Sequence, residues 1–159
     1  MSGLTHLIID GSNILHAWPE LRALLKRDRD AARARLIDRL APIHDLEAIR
    51  LTLVFDGRGP ELVVEHPVGP ASFSIIYTPA GTTADDVIEQ LVARSATPAT
   101  CLVATDDQAE RSTIEAAGAA WCSARELEAR SATASQRQTA NTARLNRQTA
   151  KTWRTPPPC

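Results

Sequence analysis

The sequence predicts an α/β fold: a doubly wound parallel sheet with helices on both faces and the strand order 3-2-1-4-5. Short apolar runs alternate along the chain with segments whose apolar residues recur at helical spacing, which is typical of repeated β–α–β units. Right-handed crossovers between parallel strands favour this strand order. Several apolar runs end in an aspartate, so an acidic edge is expected at the carboxyl ends of the strands.

Strands are expected where apolar residues run together between turn-forming residues. The first run begins at Leu4, and the GSN sequence that follows it makes a turn. A short piece, VVE, is a candidate edge strand. The five expected strands cover residues 4–10, 49–56, 72–78, 100–104 and 119–122, and the candidate edge strand covers residues 63–65.

Helices are expected where apolar residues recur every three or four positions, as at Ala32, Leu36 and Leu40. Pro19 interrupts the beginning of the first helical segment, and Gly118 closes the fourth. The residues after 123 predict a last helix whose length the pattern does not define. The other expected helices cover residues 14–25, 29–46, 83–94 and 107–117.

The 159 residues predict one domain, 1–129, followed by a basic polar tail, 130–159. Apolar residues make up 43% of the chain and aromatic residues only 4%, so the core is expected to be aliphatic. The net charge is −1, but the tail has six Lys or Arg and no Asp or Glu. The tail is expected to be a helical extension or disordered, and either to attract nucleic acid or to be simply solvated.

No stretch approaches the roughly 18 apolar residues that a membrane-spanning helix requires, so no membrane association is expected. The first residues lack a charged leader and a cleavage site, so no signal peptide is expected either. The three cysteines, Cys101, Cys122 and Cys159, lack metal-ligand spacing and are expected to be reduced thiols. These features predict a cytoplasmic protein.

Aspartates close three of the apolar runs: Asp10 after LII, Asp56 after LTLVF and Asp106 after CLVAT. Strand carboxyl ends and helix amino ends share one edge of a parallel sheet, so Asp85 and Glu89 of the 83–94 helix are expected to join them. Gathering carboxylates away from water is costly unless a cation neutralises them. The pattern therefore predicts a Mg²⁺ or Mn²⁺ site for phosphate chemistry, with Asp10, Asp85, Asp106 and Asp56 as its ligands.

Successive helical residues are rotated by about 100°, which separates the acids of the 83–94 helix. Asp85 borders the apolar face, Glu89 lies one turn further on the same side, and Asp86 points away. Asp85 and Glu89 are therefore predicted to be catalytic, together with Asp10 and Asp106. The alternative is that these acids only offset the helix dipole behind a threonine cap.

Three further residues are candidates for substrate binding. Asn13 can hydrogen-bond a carboxylate, bind a metal-held water or cap the next helix. Thr105 can orient a carboxylate. Arg33 projects with Leu36 and Leu40 near the start of its helix, where it can hold a substrate phosphate or pair with the acids, unless it only packs by its stem.

The motifs IIDGSNILHAW, ARARLIDRL, LVFDG, IIYTPAGTTADDVIEQL and LVATDD occur in that order. Together they resemble the YacP-like NYN domain family of the PIN-like nuclease superfamily over roughly residues 4–128. The resemblance implies the same sheet order. It assigns the acidic site to Asp10, Asp85 and Asp106, the supporting positions to Asn13, Asp56 and Glu89, and the family's helix arginine to Arg33.

The resemblance implies a metal-dependent endoribonuclease, and the predicted substrate is single-stranded RNA such as messenger RNA. The ribosome is a candidate partner, and the sequence does not define the oligomeric state. One alternative is a catalytically inactive RNA- or ribosome-binding module, and another is a phosphatase, although only one acid follows the first strand. In many members of the family, another residue separates this threonine from the aspartate that follows it. In this chain Thr105 directly precedes Asp106. Either Asp106 or Asp107 is therefore expected to face the metal.

Overall fold

The structure, a computed structural model, describes residues 3–154, with side chains up to Lys151. The strands are β1 (His6–Asp10), β2 (Arg50–Phe55), β3 (Val63–Glu65), β4 (Phe73–Tyr77), β5 (Cys101–Ala104) and β6 (Ala120–Cys122). The helices are α1 (Gly11–Ala17), α2 (Pro19–Leu25), α3 (Arg29–Glu47), α4 (Ala84–Ala93), α5 (Gln108–Ala116) and α6 (Ala124–Arg154).

The strands form one sheet in the order β3-β4-β2-β1-β5-β6. The five strands β4, β2, β1, β5 and β6 are parallel and follow the predicted 3-2-1-4-5 order, so the α/β prediction is confirmed. The sheet is mixed rather than purely parallel, because β3 pairs with β4 in the antiparallel direction, and this corrects the predicted parallel sheet. The connection from β3 to β4 is too short for a crossover helix, and the chain therefore turns back on itself at this edge.

Two cores lie on opposite faces of the sheet, since neighbouring side chains of a strand point to opposite sides. Leu7 and Ile9 of β1 pack on the face covered by α1, α2, α3 and the beginning of α6. Ile8 packs on the face covered by α4 and α5. All three side chains are fully buried, which fixes the register of β1 at the centre of the sheet.

The chain passes directly from β1 into α1, so the first helix begins three residues earlier than the pattern predicted. Asp10 is the N-cap of α1, and its Oδ1 accepts a hydrogen bond of 3.2 Å from the backbone N–H of Asn13. The close approach of this turn to β2 requires a glycine, because a Cβ on Gly11 would lie 2.5 Å from the ring of Phe55. Packing against β2 therefore holds Asp10 at the end of β1.

The expected tail is helical through Arg154, as part of α6. Its first turns pack on α3: Ser131 donates a 2.7 Å hydrogen bond to the carbonyl of Arg39, and Arg130 pairs with Glu47. Residues 139–151 are exposed along their whole length. The last five residues of the predicted tail, 155–159, lie outside the described residues. No helix within the described range is both long enough and apolar enough to cross a membrane.

Candidate active site

The candidate site lies at the carboxyl edge of the sheet, between the ends of β1 and β5. These two strands are neighbours, and the connections that follow them run to opposite faces of the sheet. Ligands of doubly wound folds bind at such a switch point. The amino ends of α4 and α5 point to the same edge, so side chains from four segments meet there.

Three carboxyl groups form the centre of the site: Asp10, Asp85 and Glu110, here called the carboxyl triad. Asp10 is 8% exposed and Glu110 only 1% exposed. Burial, and next the charge of the nearby Asp10, raise the pKa of Glu110 to about 9. Burial also raises the pKa of Asp10 and of Asp85, and the other aspartates nearby add to both increases. Without a cation, the site thus favours retention of at least one proton.

Glu110 was missed by the sequence analysis. It follows the N-cap residue Asp107 by three positions, where a glutamate ordinarily turns back to cap its own helix. Here its Oε2 instead accepts a 2.7 Å hydrogen bond from Thr105 Oγ1, and the side chain reaches Asp10. The available signal was its spacing: Glu110 precedes the buried Ile114 by four residues and so shares the inward face of α5.

The triad contains two buried oxygens that have no hydrogen-bond partner, Asp85 Oδ1 and Glu110 Oε1. An unsatisfied buried oxygen is costly, and carboxylate oxygens are the preferred ligands of Mg²⁺ and Mn²⁺. The donor set therefore fits a hard divalent cation in its chemistry. Within residues 3–154 as they are placed, however, no three His, Cys, Asp or Glu side chains form a group that could hold a metal ion.

Asp56 lies beside the triad, and its charge contributes to the raised pKa of both Asp10 and Asp85. Both of its carboxylate oxygens are already engaged within the protein. Oδ1 accepts a 2.8 Å bond from the backbone N–H of Ala84, and Oδ2 accepts a 3.1 Å bond from Ser12. Asp56 therefore fixes the amino end of α4, which carries Asp85, against the end of β2.

Asp106 occupies the same edge, but the structure does not bring its carboxylate to the triad. Its Oδ1 accepts bonds from the backbone N–H of Ala124, at 2.9 Å, and from Arg111, at 3.2 Å. Asp107, the alternative ligand, caps α5 through Glu110 N–H, and its charge helps to raise the pKa of Asp85. In this arrangement Asp107, rather than Asp106, acts electrostatically on the triad.

Two other predicted residues serve as local supports. Asn13 Oδ1 accepts a 3.0 Å bond from the backbone N–H of Asp106 and so ties the end of β5 to α1. Thr105 is fully buried and, besides its bond to Glu110, accepts a 3.1 Å bond from Asp107 N–H. Thr105 therefore orients a carboxyl group, as one of its predicted roles required, and its role in substrate binding stays a prediction.

Glu89 is half-buried one turn after Asp85, as the helical spacing predicted. Burial, then the charges of Asp85 and Asp86, raise its pKa. Asp86 is exposed and forms a capping box with Thr83, as expected for an acid that points away from the site. Glu89 therefore lies at the rim of the site next to the triad.

Arg33 contacts Asp56 through the backbone carbonyl of that residue. Its guanidinium group stacks over the rings of Phe55, at 5.0 Å, and Tyr77, at 5.4 Å, and donates a 3.0 Å bond to the carbonyl of Asp56. Its Nε is buried without a partner. Arg33 is thus fixed by packing next to the acidic site rather than paired with the triad.

Comparison with known proteins shows the family to which the chain belongs. A family model described as the YacP-like NYN domain matches residues 7–156. The protein named Uncharacterized protein YacP of Bacillus subtilis (strain 168) is 36% identical over 124 residues, which cover 76% of this chain and 71% of that protein. The chain belongs to the YacP-like NYN domain family, and the predicted resemblance is confirmed.

Two crystal structures of Rae1 (YacP) from Bacillus subtilis are similar to this chain. One has a TM-score of 0.77 at 29% identity and covers 93% of this chain and 85% of its own. The other, a point mutant, has a TM-score of 0.74 at 29% identity, with coverage of 90% and 84%. The family and these neighbours together imply a ribonuclease-like function with RNA as the substrate.

Proposed function

We propose that this protein is an endoribonuclease that uses Mg²⁺ or Mn²⁺ to cleave single-stranded RNA. The observation that supports it most is the carboxyl triad, in which the buried Asp10 and Glu110 and the half-buried Asp85 come together at the switch point from three separate segments. Two of the triad's buried oxygens have no hydrogen-bond partner. A protein gains no stability from such a group by itself, since buried like charges repel. A bound divalent cation would offset that cost.

In this proposal Asp10, Asp85 and Glu110 hold the metal, and Asp56 keeps the amino end of α4 in place. Asp106 would join them only by giving up its ion pair with Arg111. The bound metal would supply an acidified water and neutralise charge that develops on the phosphoryl oxygens. The water would be the nucleophile in place of the RNA 2′-hydroxyl, so the product would carry a 5′-phosphate.

The surrounding residues position the reactants. Thr105 holds the carboxyl group of Glu110 toward Asp10 through its hydroxyl. Glu89, at the rim with a raised pKa, is suited to accept a proton from the attacking water. Asn13 joins the ends of β1 and β5 and so maintains the spacing between them.

The RNA must be held by basic groups outside the triad, because an acidic site repels a phosphate backbone. Arg33 stands next to the site, and α6 adds an exposed basic surface. Arg137, Arg144 and Arg147 of α6 fall within about 80° of one another around the helix at 100° per residue. Such a surface suits messenger RNA and, in the same proposal, the RNA of the ribosome.

The free cysteines Cys101 and Cys122 support a cytoplasmic location.

A second candidate function is a non-catalytic RNA- or ribosome-binding module. Two observations favour it. Asp106 forms an ion pair with Arg111, and no group of three His, Cys, Asp or Glu side chains in the described part of the chain is placed to bind a metal ion. In this case the triad would be a retained feature of the fold, and the protein would bind RNA in the same way with or without a metal.

The test is cleavage of an end-labelled single-stranded RNA with Mg²⁺ or Mn²⁺, followed by analysis of the new ends. We expect 5′-phosphate products from the wild type, and strongly reduced cleavage with a chelator or with Asp10→Asn. Asp86→Asn is the matched control, because Asp86 lies on the same edge but points to solvent. Unchanged cleavage under both treatments would exclude the nuclease proposal. RNA binding without cleavage would favour the second candidate.

A further inference from the structure

A cavity of about 440 Å³ is lined in part by Asp56, the residue that neighbours the carboxyl triad. It is here called the arginine cavity, and its polar lining consists of Ser12, His16, Arg29, Arg33, Asp56 and Arg58. Its volume lies within the range of small-ligand pockets, roughly 300–1,000 Å³. The lining contains three arginines against one aspartate.

The cavity has more basic than acidic side chains in its lining, and no ion pair with a described residue neutralises its arginines. Arg29 and Arg58 are exposed, and their side chains make no ion pair with any described residue. The carboxylate of Asp56 is directed to Ser12 and Ala84, and only its backbone carbonyl meets Arg33. An anion in the cavity would thus face guanidinium groups with little opposing charge.

The three arginines come from two segments and differ in mobility. Arg33 is held over the stacked rings of Phe55 and Tyr77, whose centroids are 5.8 Å apart. Arg29 is the first residue of α3 and lies one turn before Arg33 on the same side. Arg58 follows β2 in an exposed loop. One fixed guanidinium with two freer ones is an arrangement that can close on a phosphate and form paired hydrogen bonds.

From this we infer that the arginine cavity binds a backbone phosphate of the RNA next to the one that is cleaved. The inference rests on the proposed function, because it takes RNA as the ligand. Asp56 connects the two places: its carboxylate lies beside the triad, and its carbonyl forms part of the cavity. A strand that crosses this edge of the sheet would pass both the triad and the cavity, since Asp56 borders each of them.

The ligand is a phosphate rather than a base, since the aromatic rings next to the cavity are already covered by Arg33. A base would need an open ring or directed donors and acceptors for its edge. The cavity therefore sets the position of the strand without reading its sequence.

The first experiment measures binding of a labelled oligouridine in a chelator, so that no cleavage occurs. We expect Arg29→Gln with Arg58→Gln to weaken binding by about tenfold and to lower the slope of log affinity against log salt by about 0.7 for one lost phosphate contact. Both side chains are exposed, so the variant should fold, which its thermal unfolding would verify. Arg94→Gln is the control: Arg94 is an exposed arginine at the far end of α4.

The second experiment replaces single phosphates of the oligonucleotide with neutral methylphosphonates. In the wild type, one replacement next to the scissile position should weaken binding, and the double variant should be insensitive to that replacement. Equal sensitivity of both proteins would overturn the inference, as would a double variant that binds like Arg94→Gln. The inference would also be overturned if the wild type distinguished between bases and the double variant did not, since that result would place a base in the cavity.

The two proposals fail in different ways. If the wild type does not cleave RNA with any metal but shows the arginine-dependent loss of binding, the cavity is supported and the nuclease proposal is excluded. If the wild type cleaves RNA and the double variant binds and cleaves equally well, the nuclease proposal stands and the cavity is excluded.

Discussion

Thr105 donates a 2.7 Å hydrogen bond to the carboxyl group of Glu110, and neither residue is accessible to solvent. The bond joins the end of β5 to the first turn of α5. It turns a glutamate that would ordinarily cap its own helix toward Asp10, at the switch point of the sheet. The position of Glu110 in the candidate site therefore depends on a neutral hydroxyl group, that of Thr105.

We expect Thr105→Val to lower the free energy of unfolding by about 1–3 kcal/mol, because a buried carboxyl group loses its donor. Metal-dependent cleavage should fall with it, since Glu110 is no longer oriented. Thr105→Ser, which retains the hydroxyl, is the control. Chemical denaturation and cleavage assays measure the two effects, and a valine variant with full activity would contradict the role of this bond.

The metal-free protein should become less stable as the pH rises from about 5 to about 9. The pKa of Glu110 is about 9 in the folded state, against an ordinary value of 4.5, so folding takes up a proton throughout this interval. Its contribution is complete below pH 4.5 and is lost progressively as the pH rises to 9. The slope is at most about 1.4 kcal/mol per pH unit for one proton.

Glu110→Gln should flatten that pH dependence and raise stability at pH 8 in a chelator, because a neutral amide replaces a group that resists ionisation. The same change should abolish stabilisation by Mn²⁺. Thermal unfolding at several pH values, with and without Mn²⁺, measures both effects. A slope as steep in the variant as in the wild type would show that Glu110 is not the group that takes up the proton.

Asp106 was predicted to be a metal ligand, and its carboxylate is instead bonded to Ala124 N–H and Arg111. We therefore expect Asp106→Asn to cost about 1 kcal/mol of stability and to change Mn²⁺ affinity by no more than about twofold. Asp85→Asn, by contrast, should remove most of the affinity. Calorimetric titration with Mn²⁺ distinguishes the two, and a large loss in Asp106→Asn would restore the original assignment.

The exposed part of α6 should contribute to RNA binding through charge alone. Replacing Arg137, Arg144 and Arg147 with Gln should lower the salt dependence of binding by about 0.7 for each single-strand phosphate contact that is lost. Cleavage at saturating RNA should be unchanged, because the substituted side chains lie outside the site. Affinity measured over a series of salt concentrations is the test, and an unchanged slope would indicate a solvated helix without a role in binding.

Much of the fold could be predicted because it follows from local patterns. Strand-length apolar runs, helical spacing and right-handed crossovers lead to the observed order of the parallel strands. The antiparallel pairing of Val63–Glu65 was the exception: the strand itself was a candidate, but its three exposed residues bury no face that would indicate its direction. The helical state of residues 130–154 was likewise left open, since it is contacts with distant residues, such as those of Arg130 and Ser131, that fix its beginning.

The sequence by itself determined that acids would gather at one edge of the sheet, and it placed Asp10 and Asp85 there. Only the tertiary structure decided which way each carboxylate turns. Glu110 faces inward because the hydroxyl group of Thr105 donates a hydrogen bond to it. Asp106 faces away because Arg111 and the backbone N–H of Ala124 donate hydrogen bonds to its carboxylate. Hydrophobic periodicity indicates which residues form helices and strands. The hydrogen-bond partners of a polar side chain, by contrast, are brought together only when distant segments pack.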